Sequence, residues 1–211
     1  AALRGLSEID TLLVDPRALF TDELRVTRVN GTEPEHRTAL WRAADEALTD
    51  GRLTAGWNDL TVDGLTGRVL VSPVREELSS AVLMEARRTG LQVISPAHDG
   101  YGSLHQAFDE LAPAGPDTDA DLARIGRELT ARGHTVALLA RSGVQAPAAC
   151  ALTVGLLDDT ETSWNADLLV PDLAGDWRLL HAVPAAREAA RRGMTLSIGG
   201  SLLGALMLIP S

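Results

Sequence analysis

The chain has 211 residues, of which 45% are apolar and only 3% aromatic, and its formal net charge is −10. This length suits one α/β domain, or one domain with a small appendage, built on a core of Leu, Val and Ala. The negative charge argues against a nucleic-acid-binding surface, because such a surface needs a basic patch to displace counterions.

Lysine does not occur in the sequence, and all 19 basic side chains are arginines. Chemistry that depends on a phosphate-binding, Schiff-base or general-base lysine is therefore excluded. Cys150 is the sole cysteine, which rules out an internal disulfide and a cysteine-based metal site. A lone cysteine is typical of a reducing compartment.

Short apolar runs, typical of buried strands, alternate along the chain with segments of helical spacing. The predicted strands are 11–15, 24–29, 64–72, 91–95, 135–140, 154–157 and 166–170. The predicted helices are 34–50, 75–90, 121–132, 146–152 and 176–193. This alternation predicts an α/β fold, with a parallel sheet covered by helices on both faces.

The C-terminal segment GMTLSIGGSLLGALMLIPS (193–211) carries no charge and follows Arg191 and Arg192. A membrane helix needs about 20 apolar residues, and basic residues mark its cytoplasmic flank. We interpret 193–211 as the start of a transmembrane helix, which would place the preceding domain at the cytoplasmic face of the cell membrane. A buried helix is the alternative interpretation.

Three polar side chains follow predicted strands: Asp15, Asp99 and Arg141. Ligands of parallel α/β sheets bind beyond the carboxyl ends of the strands, so these residues are candidates to share one crevice. His98 and His105 near Asp99 raise the alternative of a metal site. Their spacing across a glycine-containing loop favours an ordinary solvated loop instead.

The segment EIDTLLVDPRALFTDELRV (8–26) resembles the V-D-T-x-x-x-D-K-T-G-T-L-T region of the phosphorylation (P) domain of P-type cation-transporting ATPases, a branch of the haloacid-dehalogenase-like superfamily. The segments 69–94, 133–157 and 166–193 resemble, in order, the family's D-P-x-R element, its G-D-G-x-N-D element and the exit into the next membrane helix. Together these segments cover most of the chain.

This resemblance implies a Rossmann-like, haloacid-dehalogenase-like P domain formed by 1–21 and 65–192. The nucleotide-binding domain that the family inserts would be replaced by a very small cap-like insertion at 22–64. Implied partners are other domains of the same membrane protein, or an active ATPase unit, together with the membrane through 193–211.

Carried over by position, the phosphorylated aspartate of the family is Asp15, and Thr21 retains the last threonine of the motif. The lysine after the nucleophile is replaced by Pro16. The family's T-G-D falls on 97–99, where Asp99 remains but the phosphate-binding threonine is lost. The resemblance thus leaves Asp15, Thr21 and Asp99 as the catalytic positions.

The magnesium-binding G-D-G-x-N-D of the family falls on ARSGVQ (140–145). Its first aspartate becomes Arg141, and Val144 and Gln145 replace the later ligands. Because Mg²⁺ requires hard oxygen ligands, we expect neither Mg²⁺ nor ATP as a cofactor here, although the family uses both. We hypothesise instead that Arg141 replaces the metal by forming an ion pair with Asp15.

The resulting prediction is a catalytically degenerate phosphorylation domain with a structural or regulatory role. The enzymatic alternative is a still-active ATPase fragment, or a haloacid-dehalogenase-like phosphatase, that uses Asp15. A third possibility, a simple ligand-binding α/β module, would require an open pocket at the strand ends.

Overall fold

The computed structural model describes residues 2–30, 33, 36–141, 148–157 and 166–207. Its elements are, in chain order, α1 (Ala2–Glu8), β1 (Thr11–Val14), β2 (Phe20–Asn30), α2 (Arg37–Thr49), β3 (Gly56–Val62), β4 (Leu65–Arg75), α3 (Ser79–Arg88), β5 (Gln92–Pro96), β6 (Glu110–Ala112), α4 (Thr118–Ala131), β7 (Val136–Arg141), β8 (Leu152–Leu156), β9 (Leu168–Val170) and α5 (Leu173–Met207). A 3₁₀ helix, Pro16–Leu19, follows β1, and a second, Asp99–Ala107, which is interrupted by non-helical backbone at Gly102, follows β5.

The chain divides into two compact units, a larger one formed by Ala1–Ala18 with Leu78–Ser211 and a smaller one formed by Leu19–Glu77. The larger unit is built on a six-stranded sheet in the order β6-β5-β1-β7-β8-β9, in which every neighbouring pair is parallel. All four residues of β1 are buried, as expected for a strand with both neighbours present and both faces covered. The carboxyl end of β1 therefore lies between those of β5 and β7, near the centre of the sheet.

Helices cover both faces of this sheet. On one face α4 packs through Leu122, Ile125 and Leu129 against a core that includes Leu13 and Leu138. The alternate residues of each strand point to the opposite face, where α3 contacts β5, and α5 contacts β8 and β9. The predicted parallel α/β sheet with helices on both faces is confirmed.

The smaller unit is an antiparallel sheet in the order β2-β4-β3, with α2 packed on one face. Leu40 of α2 is fully buried among the apolar residues of the strands. A Cβ atom at Gly67 of β4 would collide with Leu40 Cδ2 and would lie 3.0 Å from the Asn30 carbonyl oxygen. A glycine at this position is thus what lets the helix approach the sheet so closely.

The bounds of this unit differ from the insertion expected at 22–64. The strand β4, assigned from the sequence to the P domain from residue 65 onward, pairs instead with β2 and β3. The alternating burial at Gly67, Val69 and Val71 is the pattern of a half-buried antiparallel strand. The physical reason for the difference is that an alternation of apolar and polar residues predicts a strand but does not determine which other strands it pairs with.

The C-terminal helix α5 runs without a break in its assignment from Leu173 to Met207 and includes Pro184. It contains most of 193–211, the segment interpreted as the start of a transmembrane helix, while 208–211 lie outside the described residues. Among the helices that the structure describes, none combines the length and the apolar character needed to cross a membrane.

Candidate functional site

Asp15 lies directly after β1, and its side chain is fully buried. Its backbone N–H donates to the Leu139 carbonyl oxygen of β7 at 2.9 Å, which extends the central strand pairing to this residue. Its carboxylate Oδ1 accepts from the backbone N–H of Arg17 at 2.9 Å. Asp15 therefore caps the 3₁₀ helix Pro16–Leu19, and Pro16 takes the first helical position, where no N–H is needed.

The guanidinium of Arg17 turns back onto the carboxylate that precedes it. Arg17 Nε donates to both oxygens of Asp15, at 3.0 Å and 3.1 Å. A terminal nitrogen of the same guanidinium donates to Asp119, in the first turn of α4. Arg17 thus joins the carboxyl end of β1 to the start of α4 through charge-assisted hydrogen bonds.

Burial and the charge of Arg17 shift the pKa of the Asp15 carboxyl group in opposite directions. Burial, the larger effect, raises the pKa of Asp15, and the hydrogen bonds and charge of Arg17 partly offset that rise. Burial also acts to lower the pKa of Arg17, but its contacts with Asp15 and Asp119 leave that pKa raised overall. Without Arg17, the Asp15 carboxylate would be a buried charge with no counter-ion.

Arg141, the partner that the sequence suggested for Asp15, occupies the end of β7. Its Nε donates to the backbone carbonyl oxygen of Arg17 at 3.2 Å. Among the described residues, the cation in contact with the Asp15 carboxylate is therefore Arg17. A side chain only two residues away in a tight turn reaches the carboxylate with little loop-closure cost, which explains this choice of partner.

The other two predicted catalytic positions have different surroundings. Thr21 lies on β2, where its hydroxyl donates to the Val74 carbonyl oxygen at 3.2 Å and so belongs to the antiparallel sheet. Asp99 is exposed at the start of the second 3₁₀ helix, and the backbone N–H of Gly100 is capped by Nδ1 of His98 at 3.1 Å. Within the larger unit, no hydrogen bond between described residues joins the Asp99 side chain to the Asp15–Arg17 pair.

Three contributors to this site were not found from the sequence. Arg17 and Asp119 complete the ionic contact with Asp15, and Ser95 Oγ donates to the Val14 carbonyl oxygen at 2.6 Å, fixing the last residue of β1. The one available signal was the order Asp-Pro-Arg after a strand, which favours an Asp-capped turn. The contacts of Asp119 and Ser95 depend on the fold and leave no local pattern.

The crevice does not fit the magnesium ion that the family resemblance implies. Both oxygens of Asp15 already accept from Arg17, and a second cation, Arg141, bonds the same turn. Mg²⁺ needs nearly octahedral oxygen coordination, which the described residues here do not offer. No group of three or more His, Cys, Asp or Glu able to hold a metal occurs within the described ranges, and Val144 and Gln145 lie outside them.

No protein-family model matches the chain. A Mycobacterium tuberculosis protein named probable cation-transporting ATPase I is 29% identical over 99% of this chain. A Mycobacterium leprae protein of the same name is 32% identical over 72% of it. The chain spans only 15% of the length of the first relative and 10% of the second.

Two solved structures show the same fold. A zinc-transporting PIB-type ATPase matches 98% of this chain with a TM-score of 0.61 and 14% identity, over 46% of its own length. The catalytic domain of the CPx-ATPase CopB-B matches 84% of this chain with a TM-score of 0.54 and 17% identity, over 92% of its own length. The chain therefore shares the α/β fold of these two ATPase structures, and its sequence is similar to a small part of the proteins named probable cation-transporting ATPase I.

Proposed function

We propose that this domain is a catalytically degenerate phosphorylation domain with a structural or regulatory role at the cytoplasmic face of a P-type-ATPase-like membrane protein. The observation that carries the proposal is the contact of Arg17 with both oxygens of the buried Asp15. A phosphoryl acceptor must present a free carboxylate oxygen to the incoming phosphorus atom, in line with the leaving group. Here the Arg17 guanidinium contacts both oxygens, and an incoming phosphoryl group would have to displace it.

The sequence supports the same proposal. Phosphoryl transfer depends on positioning and on neutralising the charge of the transferred group with a metal ion and cationic side chains. The chain has no lysine to contact a phosphate. Arg141 stands at the family's metal-ligand position and bonds the backbone of the Asp15 turn. Arg17 and Arg141 thus already bond other groups of the protein at this end of the sheet.

The role we propose is contact with other domains. The curated relatives are named as cation-transporting ATPases, and this chain matches a small part of each. We infer that its partners are other domains of the same membrane protein, or an active ATPase unit. In that setting the contacts of Arg17 with Asp15 and Asp119 would hold the carboxyl end of β1 against α4, and the domain would serve as a constant docking or coupling element.

Isothermal titration with Mg²⁺, and then with Mg²⁺ and beryllium fluoride, tests the proposal on the 211-residue chain. We expect no saturable heat from the unmodified chain or from Asp15→Asn. Asp50→Asn, at an exposed residue of the smaller unit, serves as the matched control. Saturable heat that disappears in Asp15→Asn and persists in Asp50→Asn would contradict the proposal, because it would show a working phosphate site.

A second candidate function is a phosphatase or ATPase that still uses Asp15. It is favoured by one observation, the half-exposed state of the Arg17 side chain, which allows the guanidinium to leave the carboxylate without opening the core. Hydrolysis of p-nitrophenyl phosphate with Mg²⁺ distinguishes the two candidates. Turnover that Asp15→Asn abolishes would establish the enzyme.

A further inference from the structure

A shallow cleft of about 420 Å³, largely open to solvent, lies over one face of α2 in the smaller unit. It is lined by Arg37, Thr38, Trp41, Arg42 and Asp45. Residues spaced by four along a helix lie above one another, so these side chains share one face of α2. The volume is within the usual range for small-molecule sites, and the cleft has no residue in common with the Asp15 crevice.

Trp41 provides a fixed aromatic wall for this cleft. Its indole is half-buried and packs against the apolar core between α2 and the antiparallel sheet. The same side chain lines the cleft. An indole held by the core loses little conformational freedom when a flat ring stacks on it.

Two guanidinium groups line the same cleft as Trp41 and have no partner among the described residues. Arg37 and Arg42 are exposed, and neither forms a hydrogen bond or ion pair with another described residue. Asp45 lies three residues after Arg42 on the same face, yet the two do not pair within the described part of the chain. Both guanidiniums are thus available to an anion, and both can offer planar, forked hydrogen bonds.

We propose that this cleft binds a planar aromatic anion. The ring stacks on Trp41, and the anionic group binds between Arg37 and Arg42. Asp45, at the far end of the row, accepts a hydrogen bond from a donor on the ring and repels a second negative charge. The ligand therefore carries its charge at one end and an amino or similar donor at the other.

Two sources share this chemistry, a free amino-substituted aromatic carboxylate and a nucleoside monophosphate. The inference is independent of the proposed function, since it concerns other residues in the other unit. It would hold equally for a degenerate and for an active Asp15 site.

The test follows the Trp41 indole N–H signal of the 211-residue chain by heteronuclear NMR, with the signal assigned from Trp41→Phe. The probes are 4-aminobenzoate, benzoate, AMP and inorganic phosphate. We expect a saturable shift with 4-aminobenzoate, with AMP, or with both, and the responding probe identifies the source. No saturable shift with either, or an equal shift with phosphate alone, would overturn the proposal.

Matched variants locate the binding. Arg37→Gln and Arg42→Gln should each lower the affinity for the responding probe about tenfold, the usual effect of losing one hydrogen bond to a charged group. Arg28→Gln, at an exposed arginine of β2 outside the cleft, should leave the affinity unchanged. Equal affinity in all three variants would contradict the assignment of the anion to Arg37 and Arg42.

Discussion

Arg17 binds both carboxylate oxygens of Asp15 from only two residues away, and the same guanidinium bonds Asp119 in the first turn of α4. Asp15 thereby acts as the cap of a turn and as half of an ion pair. Both roles are structural, and both depend on Arg17.

Replacing Arg17 by Gln should destabilise the chain by about 2 kcal/mol at pH 7. Breaking a buried ion pair leaves an uncompensated charge, and the half-exposed state of Arg17 moderates the full effect. The loss should be smaller at pH 5. Burial already raises the pKa of Asp15, and without Arg17 the carboxyl group takes up a proton more readily. Urea denaturation at the two pH values measures the difference.

A double-mutant cycle separates the ion pair from other effects of this substitution. In the Asp15→Asn background, Arg17→Gln should cost less than about 1 kcal/mol, since no buried charge remains. Arg68→Gln removes a pair with Asp59 in which both side chains are largely exposed, and it should change stability by less than about 1 kcal/mol. Equal costs for Arg17→Gln in both backgrounds would show that the pair contributes nothing.

Asp176 should make the chain less stable as the pH rises. It is almost fully buried in the first turn of α5, its Oδ2 has no hydrogen-bond partner among the described residues, and burial raises its pKa to about 7. A carboxyl group whose pKa is raised in the folded state stabilises the fold when protonated. That contribution is lost as the pH rises from about 4 through about 7.

The variant Asp176→Asn should remove this pH dependence. At pH 8 it should be more stable than the unmodified chain by at most about 4 kcal/mol, at about 1.4 kcal/mol per pKa unit. Asp172→Asn is the control, because Asp172 caps the same helix through the Gly175 N–H at 2.7 Å and asparagine caps equally well. Thermal unfolding from pH 4 to pH 8 measures both, and an unchanged slope in Asp176→Asn would contradict the prediction.

Glu85 should make the chain less stable as the pH falls, whereas Asp176 makes it less stable as the pH rises. Hydrogen bonds from Arg88 are the main cause that lowers the pKa of Glu85 to about 2, and His181 of α5 contributes at 2.8 Å. A lowered pKa gives stability that is present above pH 4.5 and is lost as the pH falls toward 2. Glu85→Gln should therefore flatten the acid limb of the stability profile. Circular dichroism measures the unfolding of both proteins between pH 2 and pH 5. The same loss of stability toward pH 2 in Glu85→Gln and in the unmodified chain would contradict the prediction.

Gly67→Ala should destabilise the smaller unit by about 1–3 kcal/mol, the usual effect of overpacking a core. The added methyl group would collide with Leu40, which is fully buried and has little room to move. Gly193→Ala, in α5, meets no atom within 4 Å and should be neutral or stabilising, since alanine favours helices. Hydrogen exchange of the β4 amides in the two variants locates the effect.

The sequence predicted the larger unit well because its signals are local. The buried run of β1 and the strands that become β5 and β7 were placed within one residue or so of their observed bounds. The pairing of β4 was not predicted, because strand partners depend on contacts between distant segments. Residues 148–151, part of a predicted helix, form a turn before β8, since a run of alanines favours a helix only where the tertiary structure permits one.

The sequence located Asp15 because an aspartate at the end of a buried central strand is a recognisable position. Asp15 lies directly after β1 and is buried, and its catalytic role stays a prediction. Its counter-ion was expected at Arg141, whereas the structure has Arg17. An arginine side chain has several rotatable bonds between its backbone and its guanidinium group, so sequence position alone does not decide which carboxylate it reaches. Asp119 was not predicted either, because its approach depends on how α4 packs.

The most direct test of whether Arg17 keeps Asp15 from phosphate is the side-chain Nε–H signal of Arg17, followed by heteronuclear NMR as Mg²⁺ and beryllium fluoride are added. We expect a slowly exchanging signal in the unmodified chain, its loss in Asp15→Asn, and no change on addition of either ligand. A saturable displacement of the signal by Mg²⁺ with beryllium fluoride would show that Arg17 yields the carboxylate to a phosphate mimic. The domain would then hold a working phosphorylation site from which the phosphate displaces the Arg17 side chain.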